Sequence, residues 1–236
     1  MNLAVIPARG GSKRIPRKNI QQFAGKPMIA WSIDAAIGSG CFDRLVVSTD
    51  DQEIAEIARQ SGADVPFLRP AELSDDYATT GDVIRHAIRW LAENGAMPER
   101  VCCIYATAPF LRAGDIARGL GLLEERGADF VFSATSYAFP VQRAIRLTPE
   151  GRVEMLMPQQ FSTRSQDLDE VYHDAGQFYW GRSEAWLLGK PVFSSIATAL
   201  ILPRYRVQDI DTPDDWLRAE LMFKALHESD VTSPQA

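Results

Sequence analysis

The sequence predicts an α/β fold in which a mostly parallel sheet is covered by helices on both faces. Three observations carry the prediction. Short apolar runs such as "LAVI" (3–6), "RLVVSTD" (44–50) and "VCCIYATAP" (101–109) alternate with longer segments of helical period. The runs are continuously apolar, as expected of strands buried on both faces. Strand-like and helix-like segments take turns along the chain, the pattern of a parallel sheet with crossover helices.

Each element has a local reason. In "GKPMIAWSIDAAIGSG" (25–40) Pro27 suits the first helical position, and Gly38 or Gly40 ends the helix. "DQEIAEIARQSG" (51–62) is a helix closed by Gly62, and "DVPFLRP" (64–70) is a short extended stretch stopped by prolines. "TTGDVIRHAIRWLAENG" (79–95) places Val83, Ile84, Ala87, Ile88 and Leu91 on one helical face. "AGDIARGLGLLEERG" (113–127) is a further helix and "DFVFSAT" (129–135) a further strand.

After Thr135 the pattern breaks, and "RAIRLTPEGRVEML" (143–156) reads as a hairpin around Pro149, Glu150 and Gly151. Residues 136–175 form an excursion from the main sheet, a lid or a dimer arm. The core resumes with "QFYWG" (177–181), a short helix over 183–188, and "TALILP" (198–203) and "YRVQDID" (205–211) as late strands. "TPDDWLRAELMFKALHE" (212–228) closes the domain as a helix, with Thr212 as N-cap and Pro213 in the first turn. One domain over 1–228 with a polar, frayed tail over 229–236 is the expected organisation.

Composition sets bounds. The chain has 236 residues, 46% hydrophobic and 24% charged, which suits a globular protein. Its net charge of −6 argues against nucleic acid or an anionic membrane as the main partner. The three cysteines, Cys41, Cys102 and Cys103, have no metal-knuckle spacing and read as buried apolar groups in a reducing cytoplasm. No apolar run approaches the ~20 residues of a membrane span.

Against that acidic background, "VIPARGGSKRIPRKNI" (5–20) gathers Arg9, Lys13, Arg14, Arg17 and Lys18 in one loop after the first strand. Ligands of open parallel sheets bind at the carboxyl ends of the strands, where this loop lies. Gly10 and Gly11 let the backbone approach a ligand and turn N–H groups inward. Ser12 adds a hydroxyl, Arg9 a bidentate grip and Lys18 a point charge, a set that suits a polyphosphate. The plainer alternative is a solvated basic loop. Neither G-x-x-x-x-G-K-[ST] nor G-x-G-x-x-G is present.

"VQDIDTPDDW" (207–216) supplies Asp209 and Asp211, two residues apart and expected on one side of a strand end. Paired carboxylates repel unless a cation sits between them, and Mg2+ is content with two carboxylates, phosphate oxygens and water. The alternative has Asp211 capping the last helix with Thr212, and Asp214 and Asp215 complementing its dipole.

"IPARGGSKRIPRKNI" with "GKPMI" behind it resembles the opening of the cytidylyltransferases that activate nonulosonic acids, the CMP-sialic acid (CMP-N-acylneuraminate) synthetases and their relatives. "VVSTDDQEIAEIA", "FLRPAELSDD", "ATAPFLR" and "QDIDTPDD" extend the resemblance along nearly the whole chain. It implies a three-layer α/β/α nucleotide-diphospho-sugar transferase fold, Rossmann-like, with a small dimerisation excursion. It implies that Arg9, Gly10, Gly11, Ser12 and Lys18 contact the CTP phosphates, that Asn19, Arg69 and Thr80 help hold the nucleotide, and that the backbone around Ala8 reads cytosine. Asp209 and Asp211 would hold Mg2+, and Arg9, Lys18 and Asp211 would be catalytic. The implied reaction has the anomeric hydroxyl of a 2-keto sugar acid attack the α-phosphorus of CTP, with pyrophosphate leaving. No general base is evident in the sequence. A homodimer in the cytoplasm, feeding a bacterial surface glycan or flagellin glycosylation, completes what the resemblance implies.

Departures from the sialic-acid pattern fall where the sugar is expected. "IYATAPFLR" has Tyr105 where a Gln is usual, "FPVQRAIR" has Gln142 near a usual Lys, and "YHDAGQFYW" replaces "NGAIY". The set resembles the branch of the family that acts on pseudaminic acid. Tyr105, Gln142, Arg164, His173, Gln177 and Tyr179 are the expected sugar contacts, with Arg164 placed for the carboxylate. N-acetylneuraminate, legionaminate or KDO as substrate stays open. So do a metal-dependent glycosyltransferase and a non-catalytic nucleotide-binding protein.

Overall fold

The computed structural model describes residues 1–75 and 77–232, with 227–232 described by backbone alone. β1 (Asn2–Pro7) runs into the basic loop, which ends in a small hairpin of β2 (Gln22–Phe23) and β3 (Lys26–Pro27). α1 (Met28–Ser39) follows. Pro27 still pairs with Gln22 and so stands one position ahead of the helix, as its N-cap. Of the two glycines weighed as the stop, Gly40 takes the left-handed conformation (φ 63°) that ends the helix.

β4 (Arg44–Ser48) and α2 (Gln52–Gln60) come next, and the Asp51 carboxylate accepts from the Ile54 N–H to cap α2. α3 (Thr80–Glu93) starts with a reciprocal capping box between Thr79 and Asp82. β5 (Arg100–Ile104), α4 (Ala113–Glu125) and β6 (Phe130–Ser136) complete the first part of the chain. The excursion carries β7 (Ile145–Leu147) and β8 (Val153–Met155), the expected hairpin. β9 (Tyr172–Arg182), α5 (Ser183–Leu187), β10 (Ala197–Ile201) and α6 (Pro213–Thr232) follow.

The main sheet has six strands in the order β10-β6-β9-β5-β1-β4. β1 is parallel to β4 and β5, and β10 is parallel to β6. β9 lies between β5 and β6 and is antiparallel to both, so the sheet is mostly parallel with one reversed central strand. Successive side chains face opposite layers. Ala4, Ile6, Cys102, Ile104, Phe178 and Trp180 join the core under α1, α2 and α4. Leu3, Val5, Val101, Cys103 and Tyr179 join the core under α3 and α5. Full burial of side chains such as Ile84, Ile88 and Phe130 stabilises by roughly 1.5–3 kcal/mol apiece. A third cluster packs Trp216 and Phe223 of α6 onto Phe23 and Met28. The two adjacent cysteines are free and buried, with burial pushing both thiols up.

Three boundaries differ from the sequence expectation. β9 begins at Tyr172, because Tyr172, His173 and Asp174 pair with Ser136, Thr135 and Ala134. The excursion off the sheet is therefore 137–171. Residues 205–211 are not a strand: Pro203 has no N–H to continue the ladder, a 3-10 turn follows at Arg204–Arg206, and the next residues run without strand partners. α6 continues through Thr232, into the expected frayed tail; residues 233–236 of that tail lie outside the described residues.

Candidate functional site

A cavity of about 660 Å³ opens at the carboxyl ends of β1 and β5. Arg9, Ser12, Lys13, Arg14 and Lys18 of the basic loop line it, with Asn19, Arg69, Thr80, Tyr105, Asp209 and Asp211. Most of the predicted nucleotide and metal residues thus share one wall system, although they come from opposite ends of the chain.

Arg17 is the exception among the loop cations. Its guanidinium turns away to Asp51, at 2.5 and 3.0 Å, and to Glu53 at the start of α2. Arg17 therefore lowers the pKa of Asp51 by hydrogen bonding and supports the loop from outside the cavity. Gly10 is required by the same group, since a Cβ there would stand 2.7 Å from Asp51 Oδ2. The close approach made by Gly10 is to the α2 cap, and its N–H donates to Asp50 at 3.0 Å. The Ala8 N–H is likewise engaged, donating to the Ser48 carbonyl at 2.9 Å. Ala8, Gly10 and Gly11 shape the loop and do not line the cavity. Asn19 both lines the cavity and fastens it, its amide donating to the Arg9 carbonyl at 2.9 Å.

Arg69 is 6% exposed, yet among the described residues its Nε and Nη2 have no hydrogen-bond partner. The Asp50 carboxylate, 3.7 Å away, is within ion-pair range but beyond hydrogen-bond reach. Burial, and then the Arg9 charge, lower the Arg69 pKa. A buried guanidinium with unsatisfied donors facing a cationic cavity is a seat for an anion.

The carboxylate pair also resolves its alternative. Thr212 and Asp215 cap α6 without the Asp211 carboxylate: the Asp215 N–H donates to Thr212 Oγ1 at 3.2 Å, and the Thr212 and Asp211 N–H groups donate to the Asp215 carboxylate at 2.9 and 3.2 Å. Asp211 is left to face the cavity, where Arg14 at 2.8 Å and Lys18 at 3.2 Å flank it. The Asp209 carboxyl, though partly exposed, is pushed up by partial desolvation and then by the Asp211 charge. Like charges that raise each other's cost of ionisation are relieved by a divalent ion. Among the described residues no cluster of three or more His, Cys, Asp or Glu could hold a metal. The pair suits Mg2+ completed by phosphate oxygens and water.

A second cavity of about 600 Å³ shares Tyr105, Thr107 and Asp209 with the first. His173, Asp174 and Tyr179 of β9 line it with Arg204 and Arg218. A register shift in β6 opposite β9, and Gly176 at φ 62°, bend the strand here. The Tyr179 hydroxyl donates to Asp174, and the Tyr105 and Tyr179 rings lie 5.3 Å apart. Burial pushes both phenols up, so they stay protonated donors at neutral pH.

Three expected sugar contacts line neither cavity of the single chain. Gln142 is buried within the excursion, donating to the Asp169 carbonyl at 2.8 Å. Arg164 is exposed on the excursion and lines neither cavity. Gln177 is 3% exposed and donates to the Arg206 carbonyl at 2.6 Å, fixing the segment that leads to Asp209. Arg204 and Arg218 line the second cavity and were not among the residues expected there. Their only signal was that they flank the Asp-x-Asp in the chain.

A family model described as cytidylyltransferase matches residues 3–199. The chain belongs to the cytidylyltransferase family. It is 46% identical over 228 residues, 97% of this chain and 98% of the other, to a pseudaminic acid cytidylyltransferase of Campylobacter jejuni. It is 33% identical over 237 residues to a CMP-N,N'-diacetyllegionaminic acid synthase of Legionella pneumophila, covering 96% and 98% of the two chains. A solved CMP:2-keto-3-deoxy-manno-octonic acid synthetase complexed with CTP superposes with a TM-score of 0.69 at 16% identity, over 95% of this chain and 99% of that one. The fold expectation, a nucleotide-diphospho-sugar transferase architecture, is met.

Proposed function

We propose that this chain transfers CMP from CTP to the anomeric hydroxyl of pseudaminic acid, releasing pyrophosphate. The observation that carries the reading is Arg69, a buried guanidinium with unpartnered donors, in one cavity with the Asp209–Asp211 pair. The sugar assignment leans on the 46% identity to the Campylobacter relative.

In this reading Arg9, Ser12 and Lys18 bind the phosphates of CTP and hold the α-phosphorus towards the second cavity, with Arg69 as a further anion contact. The C2 hydroxyl oxygen forms the new bond to phosphorus while the bond to pyrophosphate breaks, and the hydroxyl proton passes to solvent. Mg2+ held by Asp209 and Asp211 would supply charge neutralisation at the phosphates. Tyr105 presents a hydroxyl donor to the sugar, and Tyr179, whose single O–H is held by Asp174, presents its oxygen as an acceptor. Catalysis is positioning plus electrostatic stabilisation.

The test is pyrophosphate release from CTP and Mg2+ with pseudaminic acid and N-acetylneuraminic acid offered in parallel. Release with pseudaminic acid is the expected result. Release with N-acetylneuraminic acid alone replaces the sugar, and release with neither removes the reading.

We further propose that the excursion 137–171 packs on a second copy of the chain. Phe139, Leu147, Val153 and Phe161 are 83%, 68%, 61% and 76% exposed there, an apolar surface that solvated proteins seldom display. Sedimentation of Leu147→Glu tests it: a shift from dimer to monomer is expected, and an unchanged mass removes the arm as the interface. The expected setting is the cytoplasm, where CTP is found, with a product that feeds a bacterial surface glycan. No described helix is long and apolar enough to cross a membrane.

A further inference from the structure

We infer that Gln177 is a positioning residue for the Asp209–Asp211 pair: its buried amide fixes the Arg206 carbonyl, and through it the segment that delivers Asp209 to the cavity. The inference rests on the proposed reaction and names what aims its carboxylates.

The segment needs an anchor. Asp209 stands on a stretch without strand partners, and Gln208, Asp209 and Ile210 donate no backbone hydrogen bond among the described residues. Two contacts bracket the stretch. Downstream, the Lys18 ammonium donates to the Ile210 carbonyl at 2.6 Å. Upstream, the Gln177 amide donates to the Arg206 carbonyl at 2.6 Å. Lys18 lines the first cavity, and in the proposed reaction it turns to the phosphates of CTP. The upstream contact is then the one that stays in place while the carboxylates work.

That contact is built to be rigid. Gln177 is 3% exposed and Arg206 6%. Asp115 holds the Arg206 guanidinium at 2.6 and 3.4 Å, so the residue is gripped at its side chain and at its carbonyl. Gln177 is itself gripped along its backbone. Its N–H donates to Ser133 Oγ at 3.2 Å, and its carbonyl accepts from the Tyr105 N–H at 3.0 Å. Tyr105 lines both cavities. One residue of β9 therefore sets the spacing between the Tyr105 wall and the Asp209 segment.

The arrangement has a cost that marks it as more than packing. The Gln177 Oε1 is buried and has no hydrogen-bond partner among the described residues. An unpartnered buried acceptor is destabilising, and an apolar side chain of the same size would avoid it. What glutamine supplies here and an apolar residue cannot is the donor to the Arg206 carbonyl. Outer partners of this kind commonly change metal affinity by about 10–100-fold when removed.

The test compares Gln177→Met with Ile88→Ala, a core truncation remote from the segment. It reads the affinity of the CTP complex for Mn2+ by electron paramagnetic resonance, the metal-free Kd for CTP by calorimetry, the Mg2+ dependence of turnover, and the melting temperature. Gln177→Met is expected to weaken Mn2+ binding by about tenfold or more. Its metal-free CTP affinity should stay within about twofold, and excess Mg2+ should restore much of its turnover. Ile88→Ala should melt at least as early, yet bind Mn2+ within about twofold of wild type. Gln177→Asn keeps the amide one carbon short of the carbonyl; it carries the same expectation and stands in if the methionine variant does not fold. Unchanged Mn2+ affinity in the Gln177 variants, or an equal loss in Ile88→Ala, overturns the inference. A wild-type CTP complex that binds no Mn2+ overturns the metal pair and the inference with it. Wild type that binds Mn2+ but releases no pyrophosphate with any nonulosonic acid overturns the proposed reaction alone.

Discussion

Lys18 and Asp211 are 193 positions apart in the chain and 3.2 Å apart in the fold. The same ammonium donates to the Ile210 carbonyl at 2.6 Å. One side chain thereby ties the triphosphate loop to the carboxylate pair. Before the nucleotide arrives, each charge serves as the other's counter-ion. In the proposed reaction a bound triphosphate would offer Lys18 new acceptors and release Asp211 to a divalent cation.

Removing either partner should therefore cost function more than stability. Asp211→Ala is expected to lower turnover by at least about 10²-fold, with a melting temperature close to wild type because the side chain is partly exposed. Lys18→Met is expected to weaken CTP binding by about tenfold or more. Because the two groups are coupled, the double variant should lose less than the sum of the single losses. Calorimetry and pyrophosphate assays on the four proteins settle the cycle. Strict additivity would show that the contact carries no coupling.

Arg69 separates stability from binding. Among the described residues its Nε and Nη2 lack hydrogen-bond partners, and Asp50 stands off at 3.7 Å, a costly arrangement until a better-placed anion binds. Arg69→Met should leave the melting temperature unchanged or raised, and should weaken CTP binding by about tenfold or more. A variant that melts early yet binds CTP normally would return Arg69 to a structural role.

Much of this site was legible because local chemistry and global position agree. The basic loop follows β1, and the carboxyl end of a parallel strand is where the cavity opens. The α3 face, Val83, Ile84, Ala87, Ile88 and Leu91, is buried as its period requires. The reversal of β9 was not legible, since a strand buried on both faces reads the same in either direction. The engagement of Gln142 and Gln177 was not legible for a related reason. Sequence shows a polar side chain, but not that Asp169 and Arg206 carbonyls are waiting for it. Asp209 and Asp211 line one cavity although their segment is not a strand, because two-residue spacing in extended backbone suffices.

The Asp115–Arg206 pair is a stability element beside the site. Asp115 and Arg206 are 4% and 6% exposed and meet at 2.6 Å. Arg206 also presents the carbonyl that Gln177 binds. Truncating one partner leaves a buried charge alone, so Asp115→Ala should destabilise by about 3–5 kcal/mol in denaturant unfolding. A loss under about 1 kcal/mol would show that water reaches Arg206 and solvates it.

His86 should give the fold a pH dependence of definite sign. Its ring packs edge-on against Phe67 at 4.7 Å, and its Nδ1 has no hydrogen-bond partner. Burial, and next the Arg69 charge, hold its pKa below the ordinary histidine value. As pH falls through that ordinary value, the unfolded chain takes up a proton at His86 that the folded chain still refuses. The contribution of His86 is therefore fully present above the ordinary histidine pKa and is lost as pH drops from there towards the lowered folded value. Melting temperatures measured from pH 7.5 down to 5.5 should decline less steeply in His86→Gln than in wild type. Equal slopes would mean that the folded chain protonates His86 as readily as the unfolded one, and that the Arg69 cavity does not reach it electrostatically.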